Sequence, residues 1–174
     1  ALLRAAKRRR AGENRPRPSP RWRRPARWAA HANRQQTLTA PRVHALNAAY
    51  YRKAGLDAAL FARSNAALIK ALQGGQQLTR PELATVFQQA GIATDEEFRF
   101  TYLMMQAELD GIVCSGGRRG KQFTYALLDE RAPNAKRLSR DEALVELVKR
   151  YFTSHGPATL KDFVWWSGLT LADA

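Results

Sequence analysis

The feature that most constrains the fold is a change of apolar spacing at Gly111. Before this glycine, segments with helical spacing follow one another, with capping residues before them and glycines after them. After it, residues 112–115 and 122–128 have the β-branched and aromatic composition of strands, and the glycine-rich stretch 116–121 lies between them. The order predicts several helices followed by a β-hairpin.

The first helix is predicted to begin at Thr39, with Pro41 in its first turn. Its apolar residues Val43, Leu46 and Tyr50 are spaced to share one buried face.

Three further helices are predicted before the hairpin, and the last spans residues 95–110. Their predicted caps are Asp57, Thr79 with Glu82, and Thr94 with Glu97. Their predicted apolar faces are Leu60, Phe61, Leu68 and Leu72; Leu83, Val86 and Phe87; and Phe98, Tyr102, Met105 and Leu109. A short strand at Leu78 completes the order of a winged helix, which is three helices and a small sheet with a hairpin.

The pattern then starts again in residues 137–174. Ser139 and Glu142 form a capping box before an apolar face, residues 157–159 are predicted as a short strand, and residues 160–167 as a helix. Thr170 and Asp173 resemble the cap of one more helix. We therefore expect a mainly α protein with short β-hairpins: a tandem winged helix-turn-helix, with one unit in residues 37–136 and a truncated second unit in 137–174, in a chain that is a fragment.

Residues 1–36 differ from the rest in composition. Residues 1–34 contain 12 Lys and Arg and one acid, whereas residues 35–174 contain 17 Lys and Arg and 14 acids. Prolines and the lack of apolar period predict a disordered segment. Three interpretations remain: a basic arm that follows phosphates with Trp22 and Trp28 stacking on bases, an inert tail, or translation of GC-rich DNA in a shifted frame, which we favour.

The overall charge of +14 is therefore concentrated in the arm, and the rest of the chain is only weakly basic. The single cysteine, Cys114, cannot form an internal disulfide, which favours a cytoplasmic protein. No apolar run approaches the ~18 residues that a membrane-spanning helix needs.

The best candidates for DNA contact are the cations of the hairpin tip, Arg118, Arg119 and Lys121. The helix 95–110 offers Arg99 and Gln106 away from its apolar face, although Asp95, Glu96, Glu97 and Glu108 oppose phosphate binding. A solvated turn would also explain the tip. The glycine spacing and Gln122 exclude a phosphate-binding loop, and the histidines and Cys114 lack metal-ligand spacing, so neither a metal nor a cofactor is expected.

Three stretches resemble the AlkZ-like family of winged-helix DNA-binding proteins. They are residues 109–114, residues 118–122, and residues 151–169, which contain Ser-His-Gly-Pro-Ala-Thr and Trp-Trp-Ser-Gly-Leu. The resemblance runs from about Thr37 to Ala174. It implies tandem winged helices, double-stranded DNA as partner and a role in base-excision repair, since characterised members are DNA glycosylases.

The resemblance also implies a Gln-x-Gln or Gln-x-Asp catalytic signature, and this sequence contains neither, so no catalytic residue carries over. The sequence therefore favours a DNA-binding module that is catalytically incompetent. The alternatives are a glycosylase that uses other residues on an extruded base, and a winged helix that binds protein.

Overall fold

The computed structural model describes residues 25–94, 98–134 and 138–174, with side chains from residue 37 onward. These residues are mainly helical and include one small antiparallel sheet. The helices are α1 Pro25–Lys53, α2 Ala58–Leu72, α3 Arg80–Gln89, α4 Arg99–Leu109, α5 Leu128–Arg131, α6 Arg140–His155 and α7 Leu160–Ser167, and the strands are β1 Leu78–Thr79, β2 Val113–Arg119 and β3 Gln122–Leu127. No helix among them is both long and apolar enough to cross a membrane.

Helix α1 begins at Pro25 rather than at Thr39 as predicted, so residues 25–36 are helical in the structure where the composition predicts disorder. Proline is accommodated in the first turn of a helix, and no further proline follows until Pro41. The intervening alanines, arginines and glutamines favour helix. The remaining residues of the segment predicted to be disordered, 1–24, lie outside the described residues.

The buried side chains of α1 are not those predicted from Val43, Leu46 and Tyr50. Leu46 is 68% and Tyr50 57% exposed, whereas Leu38 and Tyr51 are buried. Thirteen residues of helix rotate by about 220°, so Leu38 and Tyr51 point to different sides of α1. A helix that contacts two cores does not have the single apolar stripe that the prediction assumed.

Helices α2, α3 and α4 enclose the larger core with the sheet. The predicted caps of α2 and α3 are confirmed: Asp57 accepts a hydrogen bond from the Leu60 amide at 2.7 Å, and Thr79 and Glu82 form their capping box. Leu68, Leu72, Leu83 and Phe87 are fully buried, as the spacing predicts.

Helix α4 begins at Arg99 rather than at residue 95. Phe98 has a φ of 64°, which cannot continue a right-handed helix. Residues 95–97, with the predicted partner Glu97, lie outside the described residues. The apolar face is also displaced from the predicted one, since its buried apolar residues are Phe100, Leu103, Met104 and Ala107.

The sheet has the strand order β1-β3-β2, and all pairings are antiparallel. The predicted short strand at Leu78 is confirmed as β1. β2 is longer than predicted, since Arg118 pairs with Phe123 and Arg119 with Gln122 after a register shift between Ser115 and Arg118. The hairpin turn is therefore confined to residues 120–121, and the glycine pair 116–117 forms an irregularity inside the strand.

The predicted helices of the second region are present as α6 and α7. Ser139 and Glu142 form the predicted capping box, and α7 ends at Gly168. Residues 157–159 form no strand, because Pro157 lacks a backbone donor and Thr159 caps α7 instead. Thr170 and Asp173 exchange hydrogen bonds, as the capping pattern predicts.

Candidate nucleic-acid interface

The end of the β2–β3 hairpin presents two of the predicted DNA-binding cations to solvent. The Arg118 guanidinium carbon lies 4.6 Å from the centroid of the Phe123 ring, its partner across the hairpin. Lys121 is exposed in the turn, and Phe123 is 66% exposed. We call Arg118 and Lys121 the hairpin tip. Its two charges can approach a phosphate backbone without any rearrangement of the fold.

Arg119, the third predicted cation of the hairpin, faces α3 instead. Its Nη1 donates to Glu82 Oε1 at 2.6 Å, and its Nη2 donates to the backbone carbonyl of Gln77. Successive side chains of a strand point to opposite faces, so Arg118 and Arg119 cannot both face the same partner. The two neighbouring arginines, which were predicted as equivalent candidates, thus have different surroundings in the structure.

Glu82 is held from both ends of its carboxylate. Oε2 accepts hydrogen bonds from the Thr79 amide at 2.7 Å and the Thr79 hydroxyl at 2.8 Å, while Oε1 faces Arg119. Hydrogen bonds from Thr79 and the nearby Arg119 guanidinium lower the pKa of Glu82 below its usual value. The carboxylate is therefore charged at neutral pH and connects the cap of α3 to the hairpin.

The irregularity in β2 receives the side chain of Gln77. Gln77 Oε1 accepts a hydrogen bond from the Gly117 amide at 2.6 Å and lies 3.3 Å from the Thr124 hydroxyl, which donates to the Gly117 carbonyl. A Cβ at Gly116 would collide with Thr124 Oγ1 and lie 2.8 Å from Gln77 Oε1. The glycine pair therefore provides space for the Gln77 amide.

Helix α4 does not offer the open face that the sequence predicts for it. Gln106 is buried, with 7% of its surface exposed, and donates to Asp110. The prediction that Gln106 lies away from the apolar face is wrong, because α1 covers this side of α4. Tyr51 packs edge-on against Tyr102, and His44 lies 3.2 Å from Asp110.

Arg99 precedes Tyr102 and Gln106 on the same side of α4 and is half-buried. The other side of the described helix holds Thr101, Met105 and Glu108, and Arg80 of α3 reaches it, since Arg80 Nη2 donates to the Thr101 hydroxyl at 2.7 Å. Burial raises the pKa of Glu108. The described residues of α4 itself thus contribute no exposed cation for a helix that enters a DNA groove.

A cleft of about 440 Å³ lies beside the contact between α1 and α4 and includes His44, Asp110 and Asp129 in its walls. His44 Nδ1 faces the Tyr51 hydroxyl at 3.3 Å and Nε2 faces Asp110 Oδ1, while Asp110 Oδ2 accepts from Gln106. Both ring nitrogens and both carboxylate oxygens are thus engaged. The group is better explained as a polar link between the two helices than as a catalytic pair.

Other reactive side chains also have structural explanations. Ser154 Oγ donates to the Arg150 carbonyl at 2.7 Å, so His155 Nδ1, 2.8 Å away, does not activate it as a nucleophile. Burial raises the pKa of the Cys114 thiol. Within the described ranges, no three His, Cys, Asp or Glu residues are grouped to hold a metal.

Comparison with known proteins identifies the family of the chain. The model of the AlkZ-like DNA glycosylase family matches residues 22–174. The chain belongs to the AlkZ-like DNA glycosylase family. An interstrand DNA cross-link repair glycosylase from Streptomyces sahachiroi is 31% identical over 101 residues, which are 55% of this chain and 27% of that protein.

The solved structure of the Streptomyces sahachiroi DNA glycosylase AlkZ matches with a TM-score of 0.62 and 24% identity, over 84% of this chain and 40% of that one. At this identity, the match supports the fold. The chain thus spans well under half the length of both AlkZ-like relatives.

Gln77 and Glu82 contact the hairpin in the structure but were not predicted from the sequence as residues of this site. Glu82 has a sequence signal as a helix cap but none for its pairing with Arg119, because the two are 37 residues apart. Gln77 has no signal, since its role depends on the irregularity in β2. The covering of α4 was also missed, because it depends on how α1 packs.

The neighbouring tryptophans of α7 differ in environment. Trp166 is 42% exposed and its ring lies 4.9 Å from that of Tyr151, at the edge of the smaller core. Trp165 is 86% exposed.

Proposed function

We propose that this chain is a double-stranded DNA-binding part of a repair glycosylase and that it contacts DNA through the hairpin tip. The observation that carries the proposal is the position of Arg118 and Lys121 at the exposed end of a hairpin that follows three helices. The helix and strand order α2-β1-α3-α4-β2-β3 supports a winged helix. Helices α6 and α7 would begin a second one.

The mode of contact we propose is through phosphate rather than through base edges. In many winged helices, the third helix reads the major groove, but α4 is covered by α1 on one side and its own cation, Arg99, is half-buried. Two hairpin cations without an accompanying helix provide charge but little sequence information. The binding should therefore be salt-dependent and nearly independent of sequence.

Binding of this 174-residue chain to a DNA duplex over a salt series tests the proposal. Replacing both Arg118 and Lys121 with alanine should weaken binding to all sequences and lower the slope of log affinity against log salt by up to about 2. The control replaces Lys70 of α2 and Lys149 of α6, which are exposed and give the same loss of charge. Equal effects of the two pairs would refute contact at the hairpin tip.

We further propose that this chain, by itself, releases no base from alkylated DNA. The AlkZ-like resemblance implies a Gln-x-Gln or Gln-x-Asp signature, whereas Gln35-Gln36, Gln76-Gln77 and Gln88-Gln89 are adjacent pairs. A glycosylase must also hold the extruded base against aimed polar groups. In the α1–α4 cleft, His44 and Asp110 are engaged with each other, and Tyr51 and Gln106 occupy their remaining polar atoms.

A single-turnover assay on an alkylated duplex, with protein in excess and alkali cleavage of abasic sites, tests this second proposal. We expect product at the level of a control without protein. Base release above that level, abolished by a substitution within residues 37–174, would instead support the glycosylase that uses other residues.

A further inference from the structure

We propose that Arg119 is a positioning residue that holds the hairpin against α3 through Glu82 and Gln77, and that DNA contact is left to Arg118 and Lys121. The inference rests on the proposed DNA-binding function and assigns different roles to the cations of one short hairpin.

The first argument is the geometry of the guanidinium. Arg119 uses Nη1 for the Glu82 carboxylate at 2.6 Å and Nη2 for the Gln77 carbonyl. The planar fork of an arginine suits two fixed acceptors, whereas a lysine ammonium is a flexible point charge. The two acceptors therefore fix the orientation of the guanidinium, although 54% of the Arg119 side chain is exposed.

The second argument is that both acceptors are themselves fixed. Glu82 accepts two hydrogen bonds from Thr79, a buried residue at the start of α3 that is 3% exposed. Gln77 is anchored to β2 by the Gly117 amide. Arg119 and Gln77 thus attach the hairpin to the cap of α3 at two separate points, and its outer end is oriented by them.

The third argument is strand alternation. Arg118 lies over Phe123 on the opposite side of the hairpin from the Arg119 contacts. Holding Arg119 against α3 therefore directs Arg118 away from the protein. The loss of Arg119 should alter where the tip points without removing a charge that touches DNA.

The experiment measures DNA affinity of the 174-residue chain over a salt series for Glu82→Gln, Arg119→Ala, Arg119→Lys and Arg118→Ala. We expect Arg118→Ala to lower the salt slope by up to about 1. Glu82→Gln and both Arg119 variants should weaken binding by about threefold, the scale of an exposed ion pair, at an unchanged slope. The double variant Glu82→Gln/Arg119→Ala should bind no more weakly than either single variant.

Arg119→Lys separates the two roles, because a phosphate contact survives in lysine and a two-acceptor contact does not. Wild-type affinity in Arg119→Lys, together with a slope lowered by about 1 in Arg119→Ala, would overturn the positioning role. Stronger binding of Glu82→Gln would overturn it as well, since Glu82 would then merely mask a DNA-binding cation.

Amide hydrogen exchange without DNA gives an independent readout. Glu82→Gln should accelerate exchange of the Gly117 and Arg119 amides of β2 while leaving those of α6 unchanged. Unchanged hairpin exchange would refute the positioning role even if DNA binding is confirmed. Failure of the wild-type chain to bind DNA would refute the proposed function, and the exchange data would still decide whether Arg119 holds the hairpin.

Discussion

The two apolar cores of the molecule differ in how they are closed. The larger core is enclosed by α2, α3 and α4, and the sheet covers it. The smaller core lies between α6 and α7 and includes Leu38 from α1 among its buried residues. Each core therefore includes a buried residue of α1, but Tyr51 lies close in the chain to α2, whereas Leu38 lies far in the chain from α6 and α7.

Both regions leave large apolar side chains exposed. In the second region they lie on α6, on α7 and after it, namely Val145, Leu160, Trp165, Trp166 and Leu171, and in the first they include Ile69, Phe98 and Phe123. Phe123 has Arg118 above its ring. Helix α1 is thus shared between the two cores, and we expect the second region, whose core is smaller and includes the distant Leu38, to open first.

The largest expected effect is in the larger core. Phe87→Ala removes a fully buried ring that packs edge-on against Phe100 at 5.6 Å. We expect the free energy of unfolding, from urea denaturation followed by circular dichroism, to fall by about 4 kcal/mol. Phe123→Ala is the control, because its ring is exposed, and should change stability by less than about 0.5 kcal/mol. A loss below about 1 kcal/mol for Phe87→Ala would mean that this core does not dominate.

The second prediction tests the dependence of the smaller core on α1. Leu38→Ala removes a side chain that is 4% exposed and should destabilise α6 and α7 by about 3 kcal/mol. Native-state hydrogen exchange should show this loss in α6, with α3 little affected. Leu46→Ala, on the same helix but 68% exposed, is the matched control. Equal loosening of α3 and α6 would show that the two regions unfold as one unit.

Much of this fold can be predicted from the sequence, because most of its elements have local signals. The capping boxes at Thr79 and Ser139 mark the start of a helix, and the glycines mark helix ends, through contacts within a few residues. Strand β1 can also be predicted, because it directly precedes the capping box of α3. These features depend on backbone hydrogen bonds between near neighbours.

The features that could not be predicted depend on contacts between distant residues. The start of α1 at Pro25 was hidden by a basic composition typical of disorder. The burial of Gln106 depends on α1 lying over α4, and the turning of Arg119 towards Glu82 depends on the register of the hairpin. The hairpin that carries the candidate site could thus be predicted from its glycines and charges, whereas the different environments of Arg118 and Arg119 required the structure.

The third prediction concerns the close approach of Gln77 to β2. Gly116→Ala would place a methyl group against Thr124 Oγ1 and Gln77 Oε1, so one of them must move. We expect a loss of about 2 kcal/mol in unfolding free energy and faster exchange of hairpin amides. Ser115→Ala, which alters an exposed neighbour on the same strand, is the control. Unchanged exchange in Gly116→Ala would show that the irregularity in β2 can absorb a side chain.

The smallest expected effect compares the helix caps of the two regions under acid. The pKa of Glu82 is lowered by hydrogen bonds from Thr79 and by Arg119, and that of Asp162 is lowered by hydrogen bonds from Thr159. A carboxyl whose pKa is lower in the folded than in the unfolded state stabilises the protein above the unfolded pKa. This contribution is lost as pH falls through the folded value.

For Glu82, the stabilisation should therefore be fully present above its usual pKa of 4.5 and decline below it. Glu82→Gln should melt at a lower temperature than the wild type near neutral pH, and the two melting curves should converge as the pH approaches about 3. Asp162→Asn should show the same convergence with a smaller initial gap, because hydrogen bonds from Thr159 stabilise the Asp162 carboxylate, whereas both Thr79 and Arg119 stabilise that of Glu82. A gap that is constant with pH would assign the effect of Glu82 to packing rather than to its charge. A larger gap for Asp162→Asn than for Glu82→Gln would mean that the pairing with Arg119 adds nothing to the cap, and the attachment of the hairpin to α3 would then rest on Gln77 alone.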